Sequence, residues 1–82
     1  MVFIVYAIKS KMDGRIYVGF TNDVERRIRE HNQGLTKSTK GYRPWELIYK
    51  EELASRIEAR AREKYLKSGV GKEFLKSKLF HI

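Results

Sequence analysis

Apolar and polar positions alternate along this chain in a way that predicts six elements in the order β-β-α-β-α-α. Val2 to Lys9 is almost wholly apolar and rich in β-branched and aromatic residues, the pattern of a strand buried on both faces in the middle of a sheet. Asp13-Gly14, after Met12, is a hairpin turn signal, so Arg15 to Phe20 is expected to return antiparallel to the first strand. A helix should follow, capped by Asn22 with Glu25 three residues on, presenting Val24 and Ile28 inward and ending at Gly34. Leu35 to Pro44 reads as a loop. Trp45 to Lys50 reads as a third strand with Trp45, Leu47 and Tyr49 on one face. Ser55 and Glu58 repeat the capping arrangement at the head of a helix running to about Lys67. Ser68-Gly69-Val70-Gly71 should break that helix, and a last one from Lys72 to about Leu79 should offer Phe74, Leu75 and Leu79 to the core. The sum is an α+β fold, a small three-stranded antiparallel sheet flanked by helices.

Length and composition narrow this further. Eighty-two residues suit one domain spanning 1–82. With no cysteine, disulfides and thiolate-held zinc are excluded, and a reducing cytoplasmic setting is expected. The longest apolar run is too short to cross a bilayer, and nothing resembles a secretory signal, so no membrane association is expected. Eighteen Lys and Arg against ten Asp and Glu give a formal net charge of +8, a surface that draws phosphate backbones through counterion release. An anionic membrane or an acidic protein would also answer to charge alone.

The candidate chemistry lies mostly in the first third of the chain. Tyr6 falls on the first strand and Tyr17 on the second, which Gly19 nearly closes. Arg27 and His31 stand four apart and so share one helix face. Glu63 lies between Ala59 and Leu66 on the inner side of the next helix, which suggests a partly buried carboxylate. Each residue has an ordinary explanation by itself: a strand aromatic, a surface arginine, a packed histidine, a helix ion pair with Lys67.

Taken together they resemble the GIY-YIG nuclease family. Ile4-Val5-Tyr6 and Tyr17-Val18-Gly19 stand for its two tripeptides, Arg27 for its catalytic arginine, and His31 for a position that often holds tyrosine or histidine. Thr21 fits the same order. Ala59 to Glu63, followed by Lys67, resembles the second-helix motif whose glutamate binds metal. The likeness extends from Phe3 to about Phe74 and is nearest to short stand-alone members similar to the N-terminal nuclease domain of excinuclease subunit UvrC. Two positions depart from the pattern. Ile4 replaces the first glycine, and Phe20 stands where the excinuclease branch has a lysine that helps a tyrosine lose its proton.

The resemblance implies a divalent-metal-dependent endonuclease acting on DNA more readily than RNA, with a role in repair or recombination. Glu63 would hold Mg²⁺ or Mn²⁺, Arg27 would stabilise the transition state, and Tyr6 or Tyr17 would serve the attacking water. His31 would relay a proton or hold the leaving group. Lys37, Lys40 and Arg43 in the basic loop would grip the nucleic-acid backbone. No recognition domain is evident, so selectivity is expected to come from substrate shape, a homodimer or a partner protein. The alternative is a nucleic-acid-binding module of the same fold with weak or no catalysis, to which Phe20 would contribute.

Overall fold

The structure, a computed structural model, describes residues 2–79, and of Leu79 the backbone alone. The expected contribution of the Leu79 side chain to the core therefore lies outside the described residues. Strands β1 (Phe3–Ser10), β2 (Ile16–Thr21) and β3 (Trp45–Leu53) form one antiparallel sheet in the order β2-β1-β3. Helices α1 (Val24–Gln33), α2 (Lys37–Lys40), α3 (Arg56–Lys67) and α4 (Gly69–Leu79) are the other elements among the described residues.

β1 is central because its sequence leaves no face for water. Val5, Tyr6, Ala7 and Ile8 are all completely buried, and alternation sends them to two different layers. Val5 and Ala7 meet Val18, Ala59, Leu66 and Leu75 beneath α3 and α4. Tyr6 and Ile8 meet Val24 and Trp45 on the α1 side. The β1–β2 turn uses Gly14 in the left-handed region at φ 81°, as the Asp-Gly pair predicts. Ser10 braces it, its hydroxyl accepting from the Met12 and Asp13 amides at 3.0 and 3.2 Å.

Several local expectations are corrected. Asp23, not Asn22, caps α1, its carboxylate accepting from the Arg26 amide at 3.1 Å. The Thr21 hydroxyl accepts from the Asp23 amide at 3.1 Å, and that turn delays the helix by one residue. The stretch read wholly as loop contains α2, four residues too few for a periodic signal and fastened by the buried Thr39. β3 runs past Lys50 to Leu53, and its face pattern reverses midway. Ala7 pairs with Tyr49 while Ile8 pairs with Leu47, so a bulge absorbs Ile48. Trp45 therefore packs on the α1 side, whereas Tyr49 packs with the α3–α4 core.

Ser55 caps α3 as expected, accepting from the Glu58 amide at 3.1 Å. The glycine-rich stretch beyond Lys67 is not a long break: only Ser68 separates the helices, and α4 already begins at Gly69. Gly71 serves packing instead. A Cβ there would lie 2.1 Å from the Tyr65 carbonyl oxygen and 2.5 Å from the Leu66 Cα, so only glycine lets α4 pass this close to the end of α3.

Candidate active site

The polar centre grows from Tyr6, the residue of β1 that points into the α1 layer. Its register partner on β2 is Gly19. A Cβ at Gly19 would stand 2.7 Å from the Tyr6 hydroxyl and 3.0 Å from its Cζ, so the glycine makes room for the phenol. The hydroxyl reaches His31 Nε2 at 2.8 Å, and His31 Nδ1 lies 2.8 Å from the Thr39 hydroxyl. Thr39 donates onward to the Thr36 carbonyl at 3.3 Å. With the threonine proton engaged there, Thr39 accepts from His31 Nδ1–H, which leaves Nε2 bare to accept from Tyr6. A directed chain of hydrogen bonds thus runs from Tyr6 through His31 to α2.

All three side chains are completely buried, and the burial sets their acidity. Desolvation foremost, then the repulsion of a second phenolate at Tyr17, pushes the Tyr6 pKa up to about 12; the Arg27 guanidinium opposes this and the Glu63 carboxylate adds to it. His31 is pushed down to about 4, again chiefly by burial and then by the positive charge of Arg27, with Glu30 pulling the other way. At neutral pH Tyr6 is protonated and His31 is uncharged.

Tyr17 lies on the same side, its ring 4.9 Å from the His31 ring and 6.4 Å from that of Tyr6. It is only half-buried, so of the two tyrosines it is the one open to the surface. Arg27 approaches from α1, held by Glu30 Oε1 at 2.9 Å, with its charge felt at both tyrosine hydroxyls and at His31. The Arg27 side chain remains 31% exposed, enough to meet a ligand. Glu63 approaches from α3 on the opposite face of the sheet. Its side chain is 22% exposed and pairs with Lys67 Nζ at 3.6 Å, and its field reaches the Tyr6 hydroxyl. Beside it is a shallow hollow of about 440 Å³ lined by Arg60, Ala61, Glu63, Lys64 and Lys67.

The structure therefore brings Tyr6, Tyr17, Arg27 and His31 into one cluster, with Glu63 at its edge. Lys37, Lys40 and Arg43 form a separate group around α2. Lys40 and Arg43 line a second hollow with Met12, Asn32, Gly41 and Pro44, and Arg43 Nε donates to the Lys40 carbonyl at 2.8 Å. Phe20 pairs with Val5 and packs on the α3 side, edge-on to Phe3, with the Arg56 guanidinium 5.9 Å from its ring. It thus faces the layer opposite the two tyrosines.

Three residues that the sequence pattern does not single out matter to this geometry. Thr39 accepts from His31 and, through its carbonyl, from Trp45 Nε1 at 2.9 Å. Asn32 clamps the Trp45 backbone, accepting from its amide at 2.7 Å and donating to its carbonyl at 3.1 Å. Neither interaction has a signal in spacing, because both close long loops. Glu30 was detectable, since it stands three residues after Arg27 on one helix face.

Known proteins resemble this chain over much of its length. Residues 2–76 match the model of the GIY-YIG catalytic domain. UPF0213 protein CPE1444 of Clostridium perfringens is 44% identical over 64 residues, covering 77% of this chain and 68% of that protein. Structure-specific endonuclease subunit SLX1 of Homo sapiens is 39% identical over 51 residues, 57% of this chain and 18% of that protein. The solution NMR structure of UPF0213 protein BH0048 from Bacillus halodurans has a TM-score of 0.58 at 39% identity, covering 94% of this chain and 84% of that one.

Proposed function

Because the chain belongs to the GIY-YIG family of nucleases, we propose that it is a divalent-metal-dependent endonuclease hydrolysing phosphodiester bonds in DNA. The observation that carries this reading is the gathering of Tyr6, Tyr17, Arg27 and His31 in one cluster, with Arg27 part-exposed beside the two hydroxyls. An arginine that can meet phosphate oxygens, hydroxyls that can hold water and the Glu63 carboxylate on α3 suit phosphoryl chemistry.

The donor set suits a hard, largely hydrated ion. Glu63 offers a single part-exposed carboxylate, and among the described residues no three His, Asp or Glu side chains gather to cage a metal. Mg²⁺ is commonly held by one or two carboxylates with water and substrate phosphate, and Mn²⁺ favours the same oxygen ligands. When bound, the ion neutralises phosphate charge and makes water a better nucleophile.

The chain's own residues supply the rest. Arg27, steadied by Glu30, offers a forked pair of donors to phosphate oxygens as negative charge gathers on them. Tyr6 keeps its proton at neutral pH and serves as a fixed post, aligned by the bare nitrogen of His31. Tyr17, half-exposed beside it, is the hydroxyl that orients the attacking water. Lys37, Lys40 and Arg43 grip the backbone away from the scissile bond. The structure-specific endonuclease subunit named among the relatives supports structure-selective cutting, for which repair or recombination is a fitting setting.

The test is cleavage of supercoiled, linear, single-stranded and branched DNA in Mg²⁺ or Mn²⁺ and in EDTA. Wild type should cut only with metal, and Glu63→Ala should abolish cutting while still binding DNA. Tyr17→Phe should lose far more turnover than Tyr6→Phe. DNA binding without cutting on every substrate would replace this reading with that of a binding module of the same fold.

A further inference from the structure

α3 carries more positive charge than its part in the fold explains. Ala59 and Leu66 point into the core, and Glu63 lies at one border of that buried face. Beyond Glu63 come Arg56, Arg60, Lys64 and Lys67. At 100° per residue, a consequence of 3.6 residues per turn, these four cations fall within an arc of about 80°. They form a stripe about 16 Å long at 1.5 Å per residue.

The remainder of the helix is treated differently. Arg62, at the opposite border, is tied to Glu51 of β3 at 2.8 Å and contributes to holding α3 on the sheet. On the stripe, Lys67 pairs with Glu63, while Arg56, Arg60 and Lys64 make no ion pair among the described residues. Arg60, Lys64 and Lys67 line the hollow that also contains Glu63. Three neighbouring cations without an acidic partner cost the folded chain self-repulsion, and an anionic ligand relieves it.

We infer that the Arg56–Arg60–Lys64–Lys67 stripe binds the phosphate backbone of one DNA strand and leads it to Glu63. This assigns a phosphate track on the α3 side of the sheet, across from the Lys37, Lys40 and Arg43 group on the α2 side. The inference rests on the nuclease reading for the identity of the ligand. Length supports a polyanion: along a duplex axis, about 16 Å spans roughly five phosphates of one strand at 3.4 Å each. Nucleic acid would then cross the site between two basic walls, with Arg27 and Glu63 between them.

The experiment measures binding, in EDTA, of a fluorescent DNA duplex by the full chain across a series of salt concentrations. Arg60→Gln/Lys64→Gln removes two charges from the stripe, and both side chains are exposed, so the fold should be retained on circular dichroism. Lys72→Gln/Lys78→Gln removes two charges from α4 and controls for net charge. The stripe variant should flatten the slope of log affinity against log salt by about 1.8, at roughly 0.9 for each phosphate that the protein no longer neutralises. The control should change it far less. Equal slopes for the two variants, or a wild-type slope in the stripe variant, would overturn the track while leaving Glu63-dependent cleavage standing. No salt-sensitive DNA binding by wild type would overturn the track, while metal-dependent cleavage decides the nuclease reading separately.

Discussion

The two faces of the sheet are built on opposite principles. The α3–α4 face is almost wholly apolar, with Val5, Ala7, Val18, Ala59, Leu66 and Leu75 closing a small core. The α1–α2 face is organised by hydrogen bonds, through Tyr6, His31, Thr39, Trp45 and Asn32. Apolar packing tolerates many sequences of similar volume, whereas a buried polar chain works only if every donor finds its acceptor. None of the described buried polar side-chain atoms lacks a partner. One face therefore relies on apolar volume, and the other on completed donor–acceptor pairs around the candidate residues. Both meet in β1, whose alternate residues serve each in turn.

That division is open to direct attack. Leu66→Ala should cost about 2–5 kcal/mol in urea unfolding, as deletion of a fully buried leucine does, while turnover per folded molecule stays near wild type. Arg27→Ala should do the reverse, losing about 2.7–4 kcal/mol of transition-state stabilisation in the cleavage assay with little change in unfolding. A large stability loss in that variant would place Arg27 among the structural groups. His31 links the two behaviours. Its folded pKa of about 4 lies below the unfolded value near 6.5, so the unfolded chain takes up the proton first as pH falls. Stability should be constant above about pH 6.5 and decline down to about pH 4, by about 3 kcal/mol at most. His31→Gln should flatten that decline, and an unchanged profile would show that another group governs acid unfolding.

Much of this was legible in the residues. The double burial of β1, the Asp13-Gly14 turn, the Ser55 cap and the antiparallel sheet all follow from short-range pattern, which a single sequence displays directly. The failures share one cause. The Asp23 cap depends on the Thr21 hydroxyl, α2 on Thr39 beneath it, and the reversal along β3 on a bulge opposite Ala7 and Ile8. Gly71 reads as a helix breaker because nothing local reveals that another helix passes overhead. In the site, the family resemblance carried by residue types and their order marked Tyr6, Tyr17, Arg27, His31 and Glu63 as candidates. The difference between a sealed Tyr6 and an open Tyr17 emerged only from packing, since both are tyrosines on adjacent strands.

The gap at Gly19 has a consequence for how such chains drift. The phenol of Tyr6 fills the space a side chain at position 19 would need, so the two positions behave as one steric unit although they stand thirteen positions apart. Removing only the hydroxyl would not free the glycine, because Cζ and Cε1 would still stand 3.0 and 3.2 Å from a new Cβ. The ring itself has to shrink first. Substitutions should therefore arrive in a fixed order: position 19 stays glycine while position 6 stays aromatic, and a bulkier residue at 19 marks a descendant that has already surrendered its ring. A bulkier residue in place of the second tripeptide's glycine thus records that the first tripeptide's ring is gone.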